Sequence, residues 1–326
     1  MRDIGIDLGT TNVLIYVKGK GIILNEPSVV AIDNNTKKVL AVGLEAKEML
    51  GRTPEKVEVI RPMKDGVIAD FDATEEMLKK LIKKAVGRKS LVKPNILICC
   101  PSNITGVEKN AIREIAERMG AKKVYIEEEP KVAAVGTGID ISKPSGSMIV
   151  DIGGGTTDIA VLSLGQIVTS NSIKIAGNTF DQDIIDYVKE KYKIIIGEQT
   201  AEEIKITLGK IGQDEIEKKE ITGRNVESGL PDTKEINSKD IEDAIKADLK
   251  KITAAIKTVL EKTPPELCSD IKEKGIILTG GGSLINGLVD KLRKDLKIPV
   301  FISDSPLTNV VEGTAFLLDN INLIDN

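Results

Sequence analysis

The chain has 326 residues, 41% of them hydrophobic, with 46 Lys and Arg against 50 Asp and Glu for a net charge of -4. Such a length and apolar content predict two globular domains, and the balanced charge excludes a protein that coats nucleic acid, which needs a basic excess. There is no histidine, which removes catalytic triads, imidazole bases and His-ligated zinc; there is no tryptophan and only 4 Tyr and 4 Phe, which argues against base-stacking platforms.

Taken in chain order, the first residues, Met1-Arg2-Asp3-Ile4-Gly5, enter a strand pattern at once and leave no room for a signal peptide. Residues 4–12, Ile-Gly-Ile-Asp-Leu-Gly-Thr-Thr-Asn, followed by Val13-Leu14-Ile15-Tyr16-Val17, predict a strand–turn–strand hairpin. Met77, Leu78, Leu81, Ile82 and Ala85 share one face of a helix over 72–86 that stops at Gly87. The apolar run 96–100 is a buried strand ending in Cys99-Cys100. With Cys268 alone in a helical segment, the three cysteines form no disulfide framework and point to a reducing cytoplasm. Thr105-Gly106-Val107-Glu108 has the form of a capping box and opens a helix to Met119. Tyr125-Ile126-Glu127-Glu128-Glu129-Pro130 leads into a small-residue helix over 132–136.

The opening motif then returns. Residues 149–158, Ile-Val-Asp-Ile-Gly-Gly-Gly-Thr-Thr-Asp, repeat the apolar strand, the terminal aspartate, the glycine turn and the Thr pair. Further strands are expected at 159–162, 166–169 and 172–175. Thr200-Ala201-Glu202-Glu203 predicts a second capping box, and the polar segment 212–237 surface hairpins and loops. A long helix is expected from Ser238 to Thr263-Pro264-Pro265, where the proline pair ends it. Last comes the strand 275–277, the bend Leu278-Thr279-Gly280-Gly281-Gly282-Ser283, and a helix with Leu284, Ile285, Leu288 and Leu292 on its apolar side. The pattern predicts a duplicated α/β fold. No apolar run approaches the roughly 18–20 residues of a membrane-spanning helix.

Glycine turns between strands offer backbone N–H groups to an anion, and two facing turns would clamp a polyphosphate. Thr10, Thr11 and Asn12 in the first turn, and Thr156 and Thr157 in the second, add donors. Asp7 and Asp151 end their strands where carboxylates would hold a hydrated Mg2+. Either turn alone is as well explained as an ordinary tight turn; their repetition with Asp in register favours a nucleotide cleft. The Gly280 to Ser283 bend suits close approach of a base or phosphate, while the spellings of the P-loop and of the dinucleotide fingerprint are both absent. Glu129 has two readings: a carboxylate placed to orient or deprotonate water, or simply one that favours a helix N-terminus.

In this order and spacing, the elements resemble the phosphate, connecting and adenosine motifs of the actin-like ATPase superfamily. Within it the chain is similar to the MreB filament proteins along essentially its whole length. The carrying stretches include Asn25-Glu26-Pro27-Ser28-Val29-Val30, Arg61-Pro62-Met63-Lys64-Asp65-Gly66 and Glu261-Lys262-Thr263-Pro264-Pro265-Glu266-Leu267. Leu97-Ile98-Cys99-Cys100-Pro101 and Glu127-Glu128-Glu129-Pro130-Lys131 look most like the Mbl branch.

The resemblance implies an actin-like ATPase fold, two RNase H-like domains in four subdomains around a nucleotide cleft. Subdomain IA would take 1–30, 74–142 and 308–326, IB 31–73, IIA 143–179 and 247–307, and IIB 180–246. It implies ATP and Mg2+ as ligands, with Asp7 and Asp151 on the metal through water. Gly9, Thr10, Thr11, Asn12, Gly153, Gly154, Gly155, Thr156 and Thr157 would lie on the phosphates. Glu202, Glu203 and Lys205 would face the ribose and adenine, and Gly280, Gly281, Gly282 and Ser283 the adenosine. Glu129 matches the family's water-activating carboxylate and Thr156 the residue that helps place that water.

It further implies paired protofilaments at the inner face of the cell membrane, guiding lateral cell-wall elongation with RodZ-, MreC- and MreD-type membrane proteins. No nucleic acid is implied. Leu91 and Val92, flanked by Lys89 and Lys93, are a candidate shallow membrane contact; an ordinary loop before the next strand is the plainer reading. The N-terminal amphipathic helix that some relatives carry is not expected here. An actin-fold small-molecule kinase is the alternative function.

Overall fold

The structure is a computed structural model that describes residues 3–87, 93–102, 104–213 and 215–324. The first half runs β1 (Ile4–Leu8), β2 (Asn12–Val17), β3 (Gly21–Pro27), β4 (Val30–Asp33), β5 (Val39–Val42), α1 (Leu44–Met49), β6 (Val57–Ile60), β7 (Met63–Lys64), β8 (Val67–Ile68), α2 (Phe71–Val86), β9 (Asn95–Cys100), α3 (Gly106–Arg118), β10 (Lys123–Glu128) and α4 (Glu129–Gly136). The second runs β11 (Ser147–Ile152), β12 (Thr157–Ser163), β13 (Gln166–Ile173), α5 (Gly177–Tyr192), β14 (Ile194–Ile195), α6 (Glu198–Leu208), β15 (Lys218–Asn225), β16 (Pro231–Asn237), α7 (Ser238–Lys262), α8 (Pro265–Lys274), β17 (Ile276–Thr279), α9 (Leu288–Leu296), β18 (Val300–Ile302) and α10 (Asn309–Asp319).

Two five-stranded sheets dominate, in the orders β3-β2-β1-β9-β10 and β13-β12-β11-β17-β18. They correspond strand for strand: a three-strand antiparallel meander, then two strands added in parallel. The duplication therefore extends from the glycine motif to the whole sheet. Each half also carries a small three-stranded sheet, β5-β4-β6 in the first and β14-β15-β16 in the second. The inner strands are apolar along nearly their whole length because helices cover both faces.

One core cluster fills the first half, around Ile6, Ile15, Met77, Leu81, Ile98 and Ile115; another fills the second, around Val150, Ile159, Phe180, Ile245 and Ile276. A third lies between the sheets, where α4 and α10 pack against Leu97 of one and Ile149 and Leu162 of the other. The two helices cross in backbone contact: a Cβ on Gly136 would lie 1.8 Å from Asn309 O, and one on Gly313 2.0 Å from Val132 O. This apolar pair joins the halves and forms the floor beneath the cleft.

Three local expectations change. The strands expected at 166–169 and 172–175 are one strand, β13, since Ser170 and Asn171 continue the ladder against Ala160 and Ile159. Helix α6 begins at Glu198 beneath Gly197 instead of at Thr200; burial of Ala201, Ile204 and Leu208 sets its register, and packing overrides the cap signature. Leu284 belongs to a 3-10 turn, Gly281–Leu284, and is half exposed. By contrast, α2 ends at Gly87 with φ 79°, α3 keeps its Thr105–Glu108 capping box, and α7 starts from an Asn237–Asp240 box. Among the described residues no helix is long and apolar enough to cross a membrane.

Candidate functional site

Both hairpins turn in the same register. Leu8 pairs with Val13 and Ile152 with Thr157, and one step further from each turn Asp7 faces Leu14 and Asp151 faces Asp158. The two aspartates are equivalent in position, but the two Thr pairs are not. Thr10 and Thr11 stand where the second turn has Gly154 and Gly155, while Thr157 already belongs to β12. Contact between the turns is the reason. A Cβ on Gly154 would lie 1.7 Å from Thr11 Oγ1, and one on Gly155 2.6 Å from Thr10 Oγ1. Threonine side chains of one turn fill the space that glycine leaves in the other.

Residues distant in sequence hold this pair of turns. Ser28 is fully buried; its hydroxyl donates to Gly9 O at 2.6 Å and its N–H to Thr11 O at 2.8 Å. Gly66, at φ 79°, donates its N–H to Thr10 Oγ1 at 2.9 Å and packs against Pro101 and the Thr156 methyl. Thr11 Oγ1 donates to Asn178 Oδ1 at 3.2 Å, joining the first turn to α5. The first N–H groups of α5, on Gly177 and Asn178, bond Gly153 O and Gly154 O at 3.1 and 2.8 Å. Lys205 Nζ on α6 donates to Gly177 O at 2.9 Å and pairs with Asp181 at 2.8 Å.

Four carboxyl groups gather beside the turns: Asp7, Asp151 and Asp158 from the strands and Glu129 from the first residue of α4, whose N-cap is Glu128. Burial raises all four, Asp7 to about 7 and Glu129 and Asp151 well above the ordinary range. The charges of Asp151, Asp158 and Asp7 add to burial at Glu129, and those of Asp158 and Asp7 at Asp151. Asp158 has donors: the Thr156 and Ser172 side chains and the Ser102 N–H at 3.3 Å, which reaches across from the first half. Asp151 Oδ2 is buried with no hydrogen-bond partner among the described residues.

An unpartnered buried carboxylate oxygen is costly unless a cation or donor meets it, so the donor set fits a divalent ion. Among the described residues no three acidic, Cys or His side chains converge to enclose a metal by themselves.

The glycine bend 280–283 lies against the second aspartate. Gly280 has φ 79°, and a Cβ there would fall 2.3 Å from Asp151 Oδ1; one on Gly282 would meet Ile152 Cγ2 at 2.4 Å. Ser283 Oγ closes the bend on Gly280 O at 2.6 Å. Not every candidate joins this centre. Glu202 is ion-paired with Lys47 at 2.7 Å across the cleft mouth, and Glu203 with Lys219 of β15 at 2.6 Å. Leu91 and Val92 lie outside the described residues. Sequence reasoning assigned no role to Ser28, Gly66, Asn178 or Asp158. Asp65-Gly66 signals a turn, but nothing local tells where that turn docks.

The family model for MreB/Mbl protein matches residues 1–326. The cell shape-determining protein Mbl of Bacillus subtilis (strain 168) is 58% identical over 322 residues, 98% of this chain and 97% of the relative. The cell shape-determining protein MreB of Escherichia coli (strain K12) is 49% identical over 329 residues, 99% of this chain and 94% of the relative. The crystal structure of MreB5 of Spiroplasma citri bound to ADP superposes with a TM-score of 0.94 at 41% identity, covering 98% of this chain and 97% of that one. The same figures hold for that protein bound to AMPPNP. The paired sheets and their facing turns are thus an actin-like fold. Matched from end to end in sequence and closely superposed in structure, the chain belongs to the MreB/Mbl family.

Proposed function

We propose that this protein is a cytoskeletal filament subunit that determines cell shape, using ATP bound between the two hairpin turns as the timer of assembly. One observation carries the reading: two interlocked glycine turns from duplicated sheets, with an acidic centre in which Asp151 Oδ2 has no hydrogen-bond partner among the described residues. Family membership and the nucleotides bound to the Spiroplasma citri relative support the same ligand class.

In this reading Gly9, Thr10, Thr11 and Asn12 grip the phosphates from one side and Gly153 to Thr157 from the other. Gly280 to Ser283 receive the adenosine, with Glu202, Glu203 and Lys205 of α6 on its ribose and base side. Mg2+, held by Asp7 and Asp151 through water, would neutralise phosphate charge. Glu129, made more basic by burial and by its acidic neighbours, takes the proton of the attacking water, and Thr156 orients that water. Each half supplies one turn, so the nucleotide rewards closure of IA–IB (1–30, 74–142 and 308–326; 31–73) onto IIA–IIB (143–179 and 247–307; 180–246). Slow hydrolysis reverses that bias and weakens subunit contacts.

Paired protofilaments at the inner face of the membrane, acting with RodZ-, MreC- and MreD-type proteins on lateral wall elongation, complete the proposal. It is tested by co-sedimentation and negative-stain microscopy on anionic liposomes with Mg-ATP, Mg-ADP or no nucleotide. Paired filaments on lipid, strengthened by ATP, support it. A persistent monomer that phosphorylates a small acceptor replaces it with a kinase of the same fold.

A further inference from the structure

The mouth of the cleft is crossed by polar contacts that belong to no phosphate site. Lys47 Nζ on α1 lies 2.7 Å from Glu202 Oε2 on α6, and Gln199 Nε2 of the same helix donates to Lys47 O at 2.7 Å. Arg61, just after β6, meets Glu198 at the start of α6 at 3.0 Å, and its charge also acts on Asp181 of α5. In both ion pairs the first half supplies the cation and the second the carboxylate. The Lys47 and Glu202 side chains are only 25% and 30% exposed, so they are less screened than a free surface pair.

Lys47 is presented from a fixed base. The N-cap of helix α1 is Gly43, which has φ 69° and no side chain to cap with. Its missing cap comes from another strand: Glu26 Oε2 of β3 accepts the Leu44 N–H at 2.7 Å, and Lys84 of α2 pairs with the other oxygen. On the far side, α6 also carries Lys205, which holds the start of α5, and α5 in turn holds the carbonyls of Gly153 and Gly154. A continuous set of contacts therefore runs from Lys47 and Arg61, through α6 and α5, to the second phosphate turn.

We infer that Lys47 and Arg61 are positioning residues for nucleotide retention: from the first half they pin α6 across the cleft mouth and so set how fast bound nucleotide leaves. The inference rests on the cleft being the ATP site; Lys47, Arg61 and Glu198 lie outside its proposed contacts, while Glu202, the partner of Lys47, is one of them. Hydrolysis of ATP already bound is not expected to depend on them, because neither touches the acidic centre.

The test is the dissociation rate of radiolabelled Mg-ATP, chased with unlabelled ATP, from the full chain below its assembly concentration. R61E, E198R and K47A are each expected to release nucleotide about two- to fivefold faster, the factor that one partly screened ion pair supplies. The charge swap R61E/E198R should return the rate to near that of the unaltered chain. Added NaCl should speed release from the unaltered chain more than from K47A/R61A. An unaltered chain that retains ATP while R61E and K47A release it no faster, or a swap that restores nothing, overturns the latch alone. An unaltered chain that binds no Mg-ATP overturns the cleft reading, and the latch with it.

Discussion

Gly154→Ala is a direct test of the interlocked turns. Gly154 has no positive φ, so alanine meets no backbone penalty there; what it meets is Thr11, with its new Cβ 1.7 Å from Oγ1 and 2.6 Å from Cβ. Rotating Thr11 away sacrifices its hydrogen bond to Asn178, and leaving it in place pushes the turns apart. Overpacking costs about 1–3 kcal/mol and the lost bond about 1 kcal/mol. Because the clash lies between the two halves and not inside either core, the cost falls on cleft closure. A penalty of about 2–4 kcal/mol predicts Mg-ATP binding weaker by roughly 30-fold to several hundred-fold. Calorimetric titration measures it, and the thermal midpoint should change little. Adding Thr11→Gly removes both clashing atoms and should recover most of the steric loss. Binding by Gly154→Ala within threefold of the unaltered chain would refute the argument.

Further outcomes follow from the acidic groups. Glu129→Ala should keep ATP binding and lose about 100-fold or more in single-turnover hydrolysis, the scale of a lost general base; hydrolysis at the normal rate removes Glu129 from that role. Asp151→Asn replaces a buried acid one oxygen of which has no partner among the described residues, so it should raise the melting temperature in EDTA while abolishing the Mg2+-dependent part of ATP stabilisation; a lower melting temperature in EDTA would contradict this. Asp183 on α5 is raised to about 7, well above the ordinary aspartate range, by burial and by the charge of Asp248 on α7. The folded state therefore holds this proton longer than the unfolded one, and stability should fall as pH rises between about 4 and 7. Asp183→Asn should match the unaltered chain at the acid end of that window and melt higher at its neutral end; parallel melting curves would show that the pair contributes nothing.

Much of this architecture was legible along the chain because its causes are local. The two hairpins follow from apolar strands broken by glycine turns; the Thr105 box and the proline pair after Lys262 set helix limits from a few neighbouring residues. Glycine 280 was recognisable as a bend because its spelling lies between a strand and an apolar helix pattern, and its φ of 79° accords with that. The expectations that changed were those in which a short local signal competed with packing. Thr200 had the residues of a cap, yet the buried face of α6 placed the helix start at Glu198.

Sequence by itself therefore determined the duplication, the pair of strand-end aspartates and the family, since each is a pattern of neighbours repeated or matched. Only the tertiary structure decided what faces what. That Gly154 and Gly155 receive Thr11 and Thr10 depends on how two separate sheets meet. That Ser28 supports the first turn, that Ser102 reaches Asp158, and that Glu202 is held by Lys47 across the mouth depends on contacts between residues far apart in the chain. The acidity of Asp7, Glu129, Asp151 and Asp158 is of the same kind. Desolvation and mutual repulsion are properties of a place, and the place exists only once α4 and α10 have brought the two halves together.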